Sequence, residues 1–265
     1  MTVGSAFWIA AARARESERE DRLFHDPFAK ELAGERGFTT MAASERATGG
    51  ENAYLPVRVR WFDDVTLAAV ADGTRQVVLL GAGLDTRPYR LDLPADVHWY
   101  EVDRAEVFTT KEPVLARATP RCHRRPVAAD LGTDWTTPLL DAGFRPGERT
   151  LWIAEGLFFY LTEKQIRTLY ETAAELSAPG SLFAADVTGT TGLDSPAMQP
   201  YRQWCAAHDV PPPFGCDDPP ALAEAGGWTV EHLTAPGAAD ANHGRLRPQP
   251  GGLVPGRIHF VTAKS

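Results

Sequence analysis

Cysteine is scarce in this chain. The three present, Cys122, Cys205 and Cys216, are odd in number and lack CxxC spacing, so neither a disulfide framework nor a zinc site is expected, and no metal ligand set is assigned. Long apolar runs are missing too: none approaches the roughly 18 residues a membrane span needs. Positive charge is in the minority, with 27 Lys and Arg against 35 Asp and Glu, a net charge of −8. No dense basic run interrupts that balance, which excludes a nucleic-acid backbone as the expected partner. Met1–Glu20 has no basic segment leading into an apolar stretch, so no secretory leader is expected. What remains is ordinary globular composition, 43% hydrophobic and 23% charged over 265 residues. One soluble, cytoplasmic domain spanning 1–265 is the expectation.

Proline and glycine, 21 and 23 residues, are informative through their placement. They cluster at Pro196–Pro220 and at Pro236–Gly256. Proline lacks an amide donor and glycine is backbone-permissive, so both clusters read as loop. The second reads as a connection between the last two strands that brushes the site through His243 or Arg245. The first exceeds an ordinary connection, and long loops in compact domains are often lids or binding segments.

Helical patterns cover Ser5–Arg22, Asp26–Ala33 (with Pro27 at the first helical position after an Asp cap) and Val57–Ala71, an N-terminal helical extension over residues 1–72. Gln76–Leu80 is a short, almost wholly apolar run, as a strand buried on both faces requires. Val97–Val102, Arg125–Ala129, Leu151–Ala154, Ser181–Val187, Gly227–Leu233 and Ile258–Thr262 are the further strands. Thr162 caps a helix to Leu176, and a short helix spans Pro219–Ala225. Strands alternating with helices predict a doubly wound α/β domain with a mainly parallel sheet. The last two strands lack a helix between them and are expected to pair antiparallel. An insertion over residues 188–218 follows the fifth strand.

The sharpest local signal is Gly81-Ala82-Gly83-Leu84-Asp85 directly after the first strand. Ligands of such sheets sit at the carboxyl ends of the strands, where glycines let the backbone approach them. Asp103 closes the next strand about 20 residues on, where a carboxylate accepts the hydroxyls of a ribose. The third glycine of the dinucleotide fingerprint is missing, and Thr86 stands in its place. Asp85 would repel a pyrophosphate and suit a cation or amine. A ribose with a positive sulfonium and no phosphate, S-adenosylmethionine, fits these features better than a nicotinamide dinucleotide.

The run Val78–Arg90 resembles the signature of the leucine carboxyl methyltransferase family, whose bacterial members include polyketide carboxyl O-methyltransferases. The similarity continues in Ser5–Trp8, Arg13–Glu16, Phe24–Ala29, Arg58–Asp64, Glu101–Asp103, Asp130-Leu131, Glu155–Leu161 and Phe260–Ala263, in the family's order. It implies the class I methyltransferase fold, a Rossmann-like seven-stranded sheet with its last strand antiparallel. It also implies S-adenosyl-L-methionine as cofactor. Arg58 resembles the arginine that grips the methionine carboxylate, a task suited to a guanidinium fork. Gly81, Ala82 and Gly83 resemble the backbone that the cofactor lies against, and Asp103 resembles the ribose acid. Asp130 and Leu131 resemble the pair that meets the adenine. Glu155 with Gly156 resembles the acid beside the cofactor's amino group, and Asp85 joins this set. Where eukaryotic members carry a lysine before the Asp-Pro of the N-terminal block, this chain has His25.

Transfer from a sulfonium releases a neutral leaving group, and an acceptor carboxylate is already ionised at pH 7, so positioning and desolvation would carry catalysis. A cationic or hydroxyl clamp for that acceptor is expected from Arg87, Tyr89 and Tyr160. Tyr201, Arg202, Trp204 and His208 of the insertion, with Cys205 and Phe214, are expected to cover the acceptor. The expected reaction is esterification of a carboxyl group on a small molecule or peptide. The alternatives are transfer to a hydroxyl or carbon of a secondary metabolite, with His208 or His123 as base, or a cofactor-binding regulatory module without turnover. A nicotinamide dehydrogenase ranks last, opposed by Asp85. The sequence sets no oligomeric state.

Overall fold

The computed structural model describes residues 3–194, 198–207, 212–254 and 256–265, with side chains from residue 6 onward except those of Pro200 and Trp204. His208 therefore lies outside the described residues, as does the Trp204 side chain. The chain divides into two compact units, residues 1–145 and 146–265.

The first unit opens with three helices, α1 (Val3–Ser17), α2 (Ala29–Thr48) and α3 (Tyr54–Ala71). Alanine dominates their shared core: Ala6, Ala10, Ala11 and Ala33 pack with Leu32, Met41, Leu55 and Leu84. Small side chains let helices approach closely, and a Cβ at Gly37 would run into the Phe7 carbonyl. The expected helix over 26–33 is corrected to 29–48: α2 kinks at Gly34 (φ 52°, ψ −175°) and then continues. Asp26 does not cap its first turn either. Phe28 holds the cap position, while Asp26 accepts the Phe28 amide and turns its other oxygen to Arg13 and Thr86.

Next come β1 (Gln76–Leu80), α4 (Arg87–Arg90), β2 (His98–Asp103), α5 (Ala105–Leu115), β3 (His123–Ala128) and α6 (Thr136–Asp141). All five residues of β1 are buried, as expected of an apolar strand in a parallel sheet. β1 pairs parallel with β2, and β2 parallel with β3. β3 begins two residues earlier than its apolar residues suggest; it is the end strand and carries Pro126, which only an edge tolerates comfortably. α5 has no counterpart in the sequence reading. Its buried stripe runs Val107, Phe108, Lys111, Leu115, and a lysine in the apolar register hides the period.

The second unit holds β4 (Thr150–Ala154), a 3₁₀ turn (Phe158–Tyr160), α7 (Glu163–Leu176), β5 (Leu182–Thr188), α8 (Thr190–Leu193), α9 (Gln199–Ala207), α10 (Pro219–Glu224), β6 (Thr229–Thr234) and β7 (Ile258–Lys264). Thr162 caps α7 in a reciprocal capping box with Gln165. β4 and β5 pair parallel, whereas β7 pairs antiparallel with both β5 and β6. Phe158, Tyr170, Phe183 and Trp228 form the aromatic core here. The strands run in the order β3-β2-β1-β4-β5-β7-β6, the expected α/β architecture with an antiparallel last strand. No helix among the described residues is long and apolar enough to cross a membrane.

Candidate cofactor and acceptor site

The parallel register Leu80↔Val102 brings the residues after β1 beside the end of β2. The Gly81 and Ala82 amides both donate to the Val102 carbonyl (2.9 and 3.2 Å), and the Gly83 amide donates to Asp103 Oδ2 at 2.7 Å. Gly81 (φ 67°) and Gly83 (φ 49°) take left-handed conformations that suit glycine. The spacing of about 20 residues noted in the sequence thus becomes a contact. Asp103 is 6% exposed, and its Oδ1 accepts the Arg104 amide. Each carboxylate oxygen carries one backbone donor and keeps a lone pair for a hydroxyl.

Two N-terminal residues, Arg13 and Asp26, fasten this turn from behind. Arg13 of α1 donates to Asp26 Oδ2 at 2.8 Å and to the Leu84 carbonyl, and Thr86 donates to the same Asp26 oxygen at 2.7 Å. Burial alone would raise the Asp26 pKa, but Arg13, Arg90 and Thr86 outweigh it and hold the carboxyl below its usual range. None of these roles was read from the sequence. Their signal was the Arg13–Glu16 and Phe24–Ala29 blocks, which the family resemblance marked without assigning a task.

Arg87 requires a correction. Expected as an acceptor clamp, it is 1% exposed; its Nε donates to Asp63 at 2.7 Å and its Nη1 to Asp85 at 2.6 Å. Arg90 completes the cluster with two bonds to Asp63. Arg87 therefore ties α3 to the glycine turn and has no donor pattern left for an acceptor. The cation that Asp85 was expected to meet is Arg87 itself. Burial opposes ionisation of Asp85, but Arg87, Lys111 and Arg90 hold its pKa below the usual range. Asp85, already neutralised by Arg87, therefore does not repel a pyrophosphate as expected from the sequence.

Tyr89, also expected in the clamp, is half-buried beside Arg124. Its hydroxyl accepts from Arg124 at 3.2 Å and its ring meets Phe28 edge-on; burial raises its pKa. Arg124 and the fully buried Lys111 both bind Glu101 (2.6 and 2.8 Å), a second internal cluster behind β2 and β3. Arg58 is 8% exposed on α3, with its guanidinium over the Tyr54 ring at 5.6 Å. Asp130 is exposed after β3 and binds the amide of Gly132 in its own loop; Leu131 is half-buried beside it.

The second unit repeats the turn-fastening device. The register Ala154↔Ala185 brings the residues after β4 beside the end of β5, and the Gly156 amide donates to Asp186 Oδ1 at 2.5 Å. Glu155 and Gly156 are half-buried, and Gly156 takes φ 59°. Asp186 was missed, although an acid inside the otherwise apolar run Leu182–Val187 was its signal. Tyr160 follows on the 3₁₀ turn, where Phe159 contacts both Tyr160 (5.0 Å) and Tyr201 of α9 (5.5 Å). Tyr201 is half-buried and its pKa is raised by burial. Arg202 is exposed and paired with Asp194.

The leucine carboxyl methyltransferase family model matches residues 6–174, well over half of the chain. The chain belongs to that family. A relative from Parafrankia sp. is 47% identical over 68% of this chain; the match spans 60% of the relative's own length. One from Frankia alni is 37% identical over 87% of this chain and 83% of its own. Both names assign S-adenosyl-L-methionine-dependent methyl transfer and state no acceptor. Membership places the chain among S-adenosylmethionine-dependent methyltransferases. Two solved structures share the fold at 16% identity. A DUF574 family protein from Streptomyces avermitilis covers 97% of this chain and is itself covered over 96% (TM-score 0.63). A methyltransferase-assigned protein from Thermobifida fusca covers 87% and is covered over 88% (TM-score 0.61).

Proposed function

We propose that this family member esterifies a carboxyl group of a small molecule or peptide, using S-adenosylmethionine. The observation that carries the cofactor half is the 2.7 Å bond from the Gly83 amide to Asp103, which sets a buried carboxylate against a left-handed glycine turn. The cofactor supplies a methyl group on a sulfonium, which departs as a neutral thioether. Asp103 accepts the ribose hydroxyls, Arg58 grips the methionine carboxylate, and Asp130 with Leu131 receives the adenine. Glu155 meets the amino group. Ala82 and the flanking glycines supply the backbone surface.

The acceptor carboxylate is ionised at neutral pH and needs no base, so the protein's work is to align it and exclude water. Tyr160 and Tyr201, grouped around Phe159, support an acceptor cover built from the 3₁₀ turn and the insertion. Methyl-labelled cofactor tests the reading. Carboxyl transfer gives a product whose label is lost in mild alkali, whereas an alkali-stable label would assign a hydroxyl or carbon acceptor instead.

A further inference from the structure

A carboxylate acceptor calls for a cation, and the one expected from sequence, Arg87, is fully engaged. Arg202 is paired at the surface. Arg257 is placed differently. Because β5 and β7 run antiparallel with Thr188 opposite Ile258, the entrance of β7 flanks the exit of β5, the end of an α/β sheet where ligands bind. There the Gly189 amide donates to the Arg257 carbonyl at 2.7 Å. The Arg257 side chain is half-buried, and its Nη1 is sealed from solvent with no hydrogen-bond partner among the described residues.

His259 stands two residues further, inside β7, close enough to Arg257 for the guanidinium charge to act on its ring. Its Nε2 accepts the Val254 amide at 3.0 Å, so the ring proton sits on Nδ1. That Nδ1 is buried and unpartnered as well. Two orphaned donors side by side are uncommon in a folded protein. The neighbouring carboxylate, Asp217, is already used: Oδ1 accepts the Thr190 and Gly256 amides, both at 2.9 Å, and Oδ2 accepts the Thr190 hydroxyl. Arg257 makes no ion pair with it.

We propose that Arg257, with His259 beside it, holds the carboxylate of the methyl acceptor; this rests on the carboxyl-transfer reading above. The body of the acceptor follows from the same neighbourhood. The chain leaving the insertion runs through Phe214, whose amide donates to the Phe159 carbonyl at 3.1 Å, and reaches Asp217 three residues later. The aromatic group of Phe159, Tyr160 and Tyr201 is thus tied through this segment to the Asp217 corner, and it suits a monocarboxylate carried on an apolar or aromatic body.

The test is calorimetry of benzoate, hexanoate and N-acetyl-leucine against protein saturated with S-adenosylhomocysteine. At least one probe binds the wild type. Arg257→Gln weakens it by roughly 30-fold or more, as expected when a charged partner is removed, Arg257→Lys falls between, and Lys264→Gln, at the opposite end of β7 and paired with Glu231, changes nothing. Equal affinity in wild type and Arg257→Gln, or no binding of any probe to the wild type, overturns the proposal. Affinity for S-adenosylhomocysteine stays unchanged throughout. If Arg257→Gln does not fold, protection of Arg257 from phenylglyoxal by benzoate supports the assignment, and unprotected labelling overturns it. An alkali-stable methyl product alongside Arg257-dependent carboxylate binding would defeat the carboxyl-transfer reading alone.

Discussion

Replacing Arg87 by methionine keeps the aliphatic volume and removes the charge from the interior. The guanidinium is 1% exposed and binds two carboxylates, Asp63 (4% side-chain exposure) and Asp85 (11%). Breaking a buried pair from one side typically costs about 3–5 kcal/mol, because the abandoned charge stays desolvated. Asp63 keeps Arg90, whereas Asp85 is left, among the described residues, with the Arg87 backbone amide at 2.8 Å as its hydrogen-bond donor and with the more distant charges of Lys111 and Arg90, so Asp85 bears most of the loss. A kilocalorie shifts the melting temperature of a chain of this size by about 2–4 °C, so Arg87→Met should melt roughly 10 °C lower by calorimetry. Arg87→Met with Asp85→Leu should recover a large part of that loss, since an apolar replacement of both partners leaves no orphan charge. Cofactor affinity should fall as well, because the glycine turn loses its tie to α3. If Arg87→Met melts within a degree or two of the wild type and raises only the acceptor KM, Arg87 is an acceptor clamp and the scaffold reasoning is wrong.

Asp103→Asn should weaken S-adenosylmethionine binding about 10- to 100-fold by calorimetry, the value of charged hydrogen bonds to a diol. Gly189→Ala should lower the melting temperature by several degrees. Its new Cβ would sit 2.5 Å from the Gly256 carbonyl carbon and 2.6 Å from the Arg257 amide, overpacking worth about 1–3 kcal/mol; Gly192→Ala, with its nearest neighbour at 3.6 Å, should be close to neutral. On acidification, the depressed carboxyls Asp26 and Asp85 contribute stability that is present above the unfolded carboxylate pKa near 3.9 and is lost as pH falls through their lower folded values. Burial also depresses His259, so its contribution is present above about pH 6.5 and fades as pH falls toward its folded value. His259→Gln should flatten the melting-temperature profile in that upper window and leave the acid limb in place.

The centre of the sheet was legible because β1, β4 and β5 are largely apolar runs of the expected length, and the antiparallel β6–β7 pairing followed from the missing helix. The site was legible where spacing alone forces contact, as Gly83 and Asp103 show. Lys111 shows where reading fails: a charged residue at a core position is understood only once Glu101 is seen across from it. Arg87 shows the same at the site, since a basic residue beside a ligand turn looks like a ligand residue until its partner 24 positions upstream is placed. Asp186 went unnoticed because its partner is a backbone amide, which leaves no trace in side-chain chemistry.

The neck of the insertion is stitched shut. The Cys216 amide meets the Thr188 carbonyl at 2.9 Å, Gly189 meets Arg257, and Asp217 gathers Thr190 and Gly256. A segment whose two ends are fixed by its own first and last residues can lengthen, shorten or change sequence between them at only a logarithmic entropic cost. If this segment covers the acceptor as proposed, the cover is an exchangeable module: substrate range would drift by rewriting the residues between Thr190 and Cys216, while β5 and β7, which anchor its ends, stay as they are.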